Sequence, residues 1–296
     1  MRKNMELPND FAIFILTNGR PNNIKTLHAL DKCGYTGRLY IVCDNEDSTL
    51  DEYKKLYGEK VIVFDKQKEF DKVDSGDLSK DKRAILYARN ASFEIAQKIG
   101  IKYFMMLDDD YSTFQFRFND KNEFITRNLT IKNLDAIIKS MLDFYIKTPT
   151  ITTLAMMQGG DFVGGYQNDI ARKKTMKRKA MNSFICSVDR PFQFTGRANE
   201  DVTTYCTLGM RGKLFFSVPQ VFLCQLPTQS LKGGMSEVYK EFGTYMKSFY
   251  SILSCPAFVK LQKLGNHNMK NPKRIHHKII WENAVPKIIS EEFKKK

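Results

Sequence analysis

The sequence predicts an α/β fold in which a mostly parallel sheet is flanked by helices. Short apolar runs alternate with helical segments over the first hundred residues, which is typical of β-α-β units. These runs are continuously apolar, as expected for strands that are buried on both faces. The chain has 296 residues, of which 42% are hydrophobic, so it can build a sizeable core.

The first half of the chain supplies four strands and three helices. The predicted strands cover 11–16, 38–44, 61–65 and 102–107. Helices are predicted at about 22–33, 48–57 and 80–99, and a charged loop precedes the last of these. Ala84, Ala88, Ala91, Ile95 and Ile99 form the apolar face of that third helix, which Gly100 ends.

The second half is less regular. It predicts a hairpin at 112–126, a helix near 131–147, a strand at 151–156, a strand at 183–188, a helix starting near Glu200, strands around 214–225 and a helix at 236–253. No repeat or clear linker interrupts the pattern. We therefore expect one domain over residues 1–230 and a helical, basic C-terminal extension over 231–296, packed on the same domain.

The charge balance indicates a polyanionic partner. Lys and Arg total 47 against 33 acidic residues, giving a net charge of +14. Nucleic acid and an anionic membrane surface both fit this balance, and an inert basic surface is the alternative. The six cysteines form no CxxC pair, and no segment resembles a signal peptide or a membrane span. These features predict a soluble, cytoplasmic protein with reduced thiols.

Three adjacent carboxylates, Asp108, Asp109 and Asp110, follow the fourth strand directly. Ligands of open α/β sheets bind beyond the carboxyl ends of the strands. Adjacent carboxylates repel one another, and a divalent cation shared with a diphosphate is the compensation that we expect. Mn²⁺ or Mg²⁺ would suit these oxygen ligands. An exposed acidic turn or helix cap is the alternative interpretation.

The segment from Lys82 to Tyr111 resembles the signature of GT-A glycosyltransferases, which have a Rossmann-like fold. In that signature, Arg-Asn at a helix start is followed by an apolar strand that ends in Asp-x-Asp. The loop TNGRP after the first strand resembles the nucleotide-binding loop of the same family. The resemblance implies a nucleotide-sugar site, with a UDP-sugar favoured, formed by Thr17, Asn18, Arg20, Asp44, Arg89, Asn90, Asp108 and Asp109.

The same resemblance implies a metal site and a catalytic acid. Asp108 and Asp110 would bind the metal together with His267, with His276 and His277 as alternatives. Glu200 and Asp201 match an acidic pair that opens a late helix in the family, and one acid of this pair removes the acceptor proton in inverting members. Asp201 is favoured over Glu200 for this role. Stabilisation of the helix N-terminus is the structural alternative, and both roles are compatible.

Basic residues crowd two segments of the chain. One segment has no acid between Asp169 and Asp189 and holds six cations: Arg172, Lys173, Lys174, Lys177, Arg178 and Lys179. The other is acid-free from Phe242 through Trp281. Clustered Lys and Arg suit phosphate-backbone binding, and a solvated basic loop is the alternative. We expect the first segment to bind DNA.

Finer features resemble the TET-associated glycosyltransferases of bacteriophages, which are related to the glucosyltransferase that makes base J. The residues concerned are Leu107–Tyr111, Gly196–Val202 and Ser230–Tyr239. This resemblance implies sugar transfer to a 5-hydroxymethylpyrimidine in DNA, such as hydroxymethylcytosine, in the host cytoplasm. The paired glycines around Asp161 could form a wall of the acceptor site.

Three other functions remain open at this stage. A GT-A enzyme acting on a glycan, lipid or protein would share the donor site. A non-catalytic DNA-binding relative would keep the fold alone. A nucleotidyltransferase also uses carboxylates and Mg²⁺ at strand ends, but the first turn lacks a phosphate-cradling Gly-rich loop followed by Lys. The oligomeric state is not predicted.

Overall fold

The computed structural model describes residues 6–174, 176–226, 237–238, 241, 243, 245–264 and 274–286. The helices are α1 (Lys25–Lys32), α2 (Leu50–Tyr57), α3 (Lys66–Asp71), α4 (Leu86–Lys98), α5 (Leu134–Lys147), α6 (Asp169–Lys173), α7 (Glu200–Gly209) and α8 (Met246–Ser254). The strands are β1 (Phe11–Leu16), β2 (Leu39–Asp44), β3 (Val61–Phe64), β4 (Tyr103–Asp108), β5 (Tyr111–Phe118), β6 (Phe124–Thr130), β7 (Ile151–Gln158), β8 (Ser183–Ser187), β9 (Leu214–Gln225), β10 (Val259–Leu264) and β11 (Arg274–Ile279).

Nine strands form one mixed sheet in the order β3-β2-β1-β4-β8-β7-β9-β5-β6. The strands β3, β2, β1 and β4 are parallel neighbours, and β7 and β9 are parallel as well. Strand β8 lies antiparallel between β4 and β7. The predicted α/β class is therefore confirmed, with the parallel strands concentrated in the N-terminal half.

Helices cover both faces of this sheet because its central strands are apolar throughout. Alternate residues of β1 point to opposite faces, so that Ile13 and Ile15 join one core while Phe14 and Leu16 join the other. The first core includes residues of α1 and α5, and the second includes residues of α4 and α7. Each helix therefore buries one apolar face against the sheet.

Local capping fixes two of the helices. The side chain of Asn133 accepts a hydrogen bond from Ala136 N (3.0 Å) at the start of α5. Asp65 does the same with Lys68 N (2.9 Å) at the start of α3, inside the segment that the sequence predicts to be a loop. An acceptor at this position satisfies a backbone N–H that the helix itself leaves unpaired.

Helix α4 begins later than the apolar pattern predicts, at Leu86 rather than near Lys80. The carboxylate of Asp81 accepts from the backbone N–H of Arg83 (2.9 Å), and it also pairs with Arg197 (3.2 Å) from a distant loop. These bonds hold the chain in a turn. The helix can start only after that turn.

The C-terminal extension differs from the prediction. Its helical part is α8, and an antiparallel hairpin of β10 and β11 follows instead of further helix. Phe258 and Val259 are buried in the second core, so this segment packs on the main domain. The predicted boundary at residue 230 lies outside the described residues and stays a prediction.

Candidate active site

The predicted functional residues meet at one edge of the sheet, where β1, β2 and β4 end. Leu16 pairs with Asp108 in the parallel register of β1 and β4. Strand β8 runs the other way, and its first residue, Ser183, pairs with Leu107. The same edge therefore receives the residue that precedes β8, Asn182. This is the edge at which an open α/β sheet presents a ligand site.

Asp109 is tied to the loop that follows β1. Its carboxylate accepts from Thr17 Oγ1 (2.7 Å) and from the Arg20 guanidinium (2.7 Å). Tyr53 supports the same loop from α2, because its hydroxyl accepts from Arg20 N (2.8 Å) and bonds to Thr17 Oγ1 (2.8 Å). The loop and the second aspartate thus form one hydrogen-bonded unit.

Asp108 is tied to α4 and α7 through Arg89. The Arg89 guanidinium donates to Asp108 (3.2 Å) and to Glu200 (2.6 Å), and the side chain is 1% exposed. It also lies over the ring of Phe184. Burial alone would lower the pKa of Arg89, but the two carboxylates raise it, so the guanidinium stays charged. One arginine therefore links the strand end to the helix that carries the predicted acid.

Asp110 has a different environment from its neighbours. The amide of Gln225, at the end of β9, donates to both of its carboxylate oxygens (3.1 and 3.2 Å). Burial and the nearby charge of Asp108 raise the pKa of Asp110 to about 7. Burial also raises the pKa of Asp108 and Asp109, although the arginines counteract part of that rise. The edge as a whole disfavours further negative charge.

A second hydrogen-bonded group lies at the end of β2. Asp44 accepts from Asn18 Nδ2 (2.9 Å) and from Lys66 Nζ (3.2 Å). Asp47 accepts from Gly19 N (2.8 Å). The TNGRP loop is thus held from two sides, by the end of β2 and by the aspartates after β4. Such fixation can present a polar loop to a bound nucleotide.

Glu200 and Asp201 open helix α7 and are 8% and 6% exposed. Burial raises the pKa of Glu200 to about 7, and Arg89 opposes that rise. Asp201 accepts from Val202 N (2.7 Å) at its Oδ1 atom. Within the described part of the chain, no protein donor bonds to its second oxygen.

The turn into α7 is fixed by Asn199, which has a left-handed backbone (φ 55°). Asparagine tolerates this conformation better than most residues. Its amide donates to Nδ1 of His277 in β11 (3.1 Å). Burial lowers the pKa of His277 to about 4, so the ring is neutral. The C-terminal hairpin therefore supports the helix end that carries both acids.

A sequence profile of the TET-associated glycosyltransferases matches residues 11–234. This range includes all the site residues described above except those of the β10–β11 hairpin. The chain belongs to the TET-associated glycosyltransferase family. This protein is thus a glycosyltransferase, and the family resemblance found in its motifs is confirmed. No protein with a curated description matches the sequence.

Solved structures give only distant similarities. The glucosyl-3-phosphoglycerate synthase of Mycobacterium tuberculosis is 10% identical, with coverage of 91% of this chain and 87% of that chain and a TM-score of 0.43. A mannosyltransferase of Pyrobaculum calidifontis is 12% identical, with 85% and 77% coverage and a TM-score of 0.44. For TarS of S. aureus the identity is 12%, the coverage 81% and 39%, and the TM-score 0.40.

The structure describes some of the metal ligands predicted for this glycosyltransferase but not all of them. Asp108 and Asp110 lie at the same edge, whereas His267 is outside the described residues. His277 is bonded to Asn199. The described residues contain no group of three His, Cys, Asp or Glu side chains that could hold a metal ion. The expectation that a cation alone compensates the aspartates needs correction, since Arg20 and Arg89 neutralise two of them.

The side chain of Asn90 bonds to the backbone of the loop before α7. Its amide donates to Phe194 O (3.1 Å), and its carbonyl oxygen accepts from Phe194 N (2.8 Å). Both ends of the side chain are therefore used to hold the loop before α7. Asn90 thus links α4 to that loop, and the donor-binding role implied by the resemblance stays a prediction.

The six cations predicted to bind DNA differ in their exposure and in their partners, and a DNA-binding role for them stays a prediction. Arg172 and Lys173 are exposed but pair with Asp169 in the same helix, and Lys179 pairs with Asp161. The remaining three are half-buried: Lys174, Lys177 and Arg178. Arg178 lies over the ring of Trp281 and donates to its carbonyl oxygen. The crowding seen in the sequence thus serves partly to hold the fold together.

The glycine pairs around Asp161 form turns. Gly164 and Gly165 have positive φ values of 99° and 56°. Asp161 accepts from Gln158 N (3.0 Å), so its carboxylate caps the short turn after β7. A role of this segment as a wall of the acceptor site stays a prediction.

Sequence reasoning missed several residues of the site. The TNGRP loop is held by Asp47 and Tyr53. Asp44 is held by Lys66, and Asp110 is held by Gln225. Lys66 and Gln225 had a usable signal, because each stands at or just after the end of a predicted strand. Tyr53 had none, since a tyrosine in a polar helix carries no mark of its tertiary partner.

Proposed function

We propose that this protein transfers a sugar from a nucleotide-diphosphate donor, in a divalent-metal-dependent reaction, to the hydroxyl of a 5-hydroxymethylpyrimidine in DNA. The observation that carries the proposal is the unequal neutralisation of three adjacent aspartates at the edge of the sheet. Asp108 and Asp109 have arginine partners, whereas Asp110 faces an amide.

The donor set at this edge fits a hard cation. Mg²⁺ and Mn²⁺ accept one or two carboxylates and complete their coordination with water and substrate phosphates. Asp108 and Asp110 supply two carboxylates. Burial and the charge of Asp108 raise the pKa of Asp110, and a bound cation would oppose both effects. When bound, the ion would neutralise the diphosphate as the sugar leaves it. The two aspartates would hold it.

The loop after β1 is our candidate for the nucleotide. Arg20 is fixed by Asp109 and by the Tyr53 hydroxyl, so a cationic group stands beside the carboxylates in a defined position. Thr17, Asn18 and Asp44 complete a polar rim that could bind the nucleoside. Fixed hydrogen-bonding groups lose little entropy when a ligand binds, which favours this rim for the donor.

Asp201 is our candidate for the base. The proton of the acceptor hydroxyl would move to the free oxygen of Asp201 while the hydroxyl oxygen bonds to the anomeric carbon and the nucleotide diphosphate leaves. Attack on the face opposite the leaving group would invert the anomeric configuration. Glu200 is held by Arg89 at 2.6 Å, so we assign it a positioning role.

The DNA acceptor is supported by the net charge of +14 and by an acid-free stretch from Phe242 through Trp281. The family's association with TET enzymes in its name points the same way. An enzyme for glycan, lipid or protein acceptors would share the donor site and differ in the partner of its basic surface. The acceptor therefore has to be tested directly.

The test offers hydroxymethylated and unmodified DNA to the protein with several nucleotide sugars and Mn²⁺. The DNA is then digested, and its nucleosides are weighed by mass spectrometry. We expect one hexose or pentose on the hydroxymethylated nucleoside and none on unmodified DNA. The Asp201→Asn variant is the matched control, and its rate of product formation should be about 10²–10⁴-fold lower. Sugar transfer to another acceptor, with no change in hydroxymethylated DNA, would refute the proposal.

A further inference from the structure

The hairpin β10–β11 presents an unusual pair of charges. In its antiparallel register Lys260 lies directly opposite Lys278, and Gln262 lies opposite His276. Residues that face each other in such a pair project on the same side of the sheet, with Cβ atoms about 4.5–5.5 Å apart. Like charges placed directly opposite each other destabilise a hairpin. The sequence therefore accepts a folding cost at this position.

Nothing acidic offsets that cost in the part of the chain that the structure describes. Neither Lys260 nor Lys278 forms an ion pair with a described carboxylate. Lys260 Nζ donates to Pro256 O (2.9 Å), which leaves further donors of its ammonium group free. Lys260, Gln262 and Lys278 are all exposed. This side of the hairpin, with the exposed residues Lys260, Gln262 and Lys278, is called the outer face below.

The opposite side of the hairpin is fixed to the core. Val259 and Ile279 are part of the second core cluster, and Ile280 N donates to Phe258 O (2.8 Å). His277 accepts from Asn199, which directly precedes Glu200 and Asp201. Because successive residues of a strand alternate in direction, Lys278 projects away from the side on which His277 meets α7. The hairpin that carries the outer face is thus anchored to the core and to the residue that precedes the candidate catalytic helix.

We propose that the outer face of the β10–β11 hairpin docks the duplex DNA that carries the acceptor base. The inference rests on the proposed function, and it moves the main DNA contact from residues 172–179 to the hairpin. A two-stranded β-ribbon fits the major groove of B-form DNA. Opposed lysines that repel each other in the free protein are each neutralised when they meet phosphates.

The test compares two double variants that lose the same charge. Lys260→Gln/Lys278→Gln alters the outer face, whereas Lys54→Gln/Lys55→Gln alters exposed lysines of α2. Binding to duplex DNA is measured by fluorescence anisotropy over a range of salt concentrations. We expect the hairpin variant to bind several-fold more weakly and to flatten the slope of log K against log [salt] by about 1.8, at about 0.9 per lost phosphate contact. The α2 variant should match wild type.

A second measurement separates lost contacts from lost folding. Removing two opposed charges should leave the thermal midpoint of the hairpin variant equal to that of wild type or higher at low salt. A hairpin variant with wild-type DNA affinity and slope would overturn the inference while the proposed function stands. If wild type binds no duplex DNA but binds anionic phospholipid vesicles through the same lysines, the DNA acceptor itself is wrong.

Discussion

Asp110 differs from Asp108 and Asp109 in what lies beside its carboxylate. Its neighbours each receive an arginine, while Asp110 receives the neutral amide of Gln225. Burial and the charge of Asp108 raise the pKa of Asp110 to about 7, and the amide of Gln225 opposes this rise without supplying a positive charge. At this edge Asp110 is the aspartate with the most to gain from a cation.

Two substitutions separate donor binding from proton transfer. Asp110→Asn removes the proposed cation ligand, so we expect loss of Mn²⁺-dependent UDP binding and of turnover. Asp201→Asn removes only the proposed base, so turnover should fall about 10²–10⁴-fold while UDP affinity is retained. Isothermal titration with UDP and Mn²⁺, together with a turnover assay, checks both. Equal loss of UDP affinity in the two variants would contradict the role of Asp201.

The pH dependence of donor binding follows from the same carboxylate. Asp110 faces Asp108 and Asp109 on its own segment, and Arg20 and Gln225 from other elements. Below about pH 7 its carboxyl group is protonated, and a neutral carboxyl group is a poor cation ligand. The Mn²⁺-dependent affinity for UDP should therefore weaken as the pH falls from 8 to 6, by up to about tenfold per pH unit. A flat affinity over this range would exclude Asp110 as a ligand.

At the scale of elements, Arg89 joins three of them around the site. It belongs to α4, and it bonds to the end of β4 and to the first residue of α7. Because the guanidinium is planar and presents several donors in fixed directions, it can hold two carboxylates at once. One side chain thus links the candidate cation ligand Asp108 to the first residue of α7.

Arg89→Met should be strongly destabilising because it leaves Glu200 and Asp108 buried without a partner. We expect a loss of about 3–5 kcal/mol in the free energy of unfolding, measured by urea titration. Arg89→Lys keeps the charge but cannot reach both carboxylates in the same geometry, so its loss should be intermediate. Unfolding free energies equal to wild type in both variants would show that the three elements are held by packing alone.

The pattern of apolar residues predicts those strands and helices whose own sequence is clearly apolar or periodic. The strands before Asp108 are continuous apolar runs, and the structure places each of them in the sheet as expected. The hairpin β10–β11 was missed because VKLQKL and RIHHKI mix apolar and basic residues without clear alternation. Its strands form because Val259 and Ile279 find a tertiary core, which no local pattern reveals.

The residues of the site also fall into those that the sequence predicts and those that it does not. The aspartates and the Glu200–Asp201 pair could be found from sequence because clustered charge at strand and helix ends is conspicuous. The role of Asn90 could not, since an asparagine amide gives no sign of whether it meets a ligand or, as here, the backbone of Phe194. The partners of the cations at 172–179 could not be predicted either. Lys179 pairs with Asp161 and Arg178 bonds to Trp281, and no local sequence pattern indicates these contacts.

For the whole molecule, the C-terminal segment is part of the folded core although the family match ends at residue 234. Phe258 is 2% exposed and packs with residues of α4 and α7, and Trp281 stacks on Tyr205 of α7. The described part of the chain contains no helix long and apolar enough to cross a membrane. A segment rich in Lys and Arg thus also contributes buried side chains to the core.

Because the C-terminal segment is part of the core, a substitution of one of its buried residues should strongly lower the stability of the protein. Phe258→Ala should lower the free energy of unfolding by about 3–5 kcal/mol, because it removes a buried ring and leaves a cavity. Leu253→Ala, at a site in α8 that is 74% exposed, should change it by less than about 0.5 kcal/mol. Urea unfolding of the two variants checks this. Similar small losses in both would mean that the segment folds independently of the domain.

The two arginines beside the aspartates also bear on how the protein assembles. Because Arg20 and Arg89 already balance two of the clustered charges, the chain can reach its native state before any ion arrives. In small zinc domains, by contrast, the ion supplies the folding energy and chelators denature the protein. Treatment with EDTA should therefore abolish the activity of this enzyme and leave its circular dichroism spectrum unchanged. The activity should return at once when Mn²⁺ is restored.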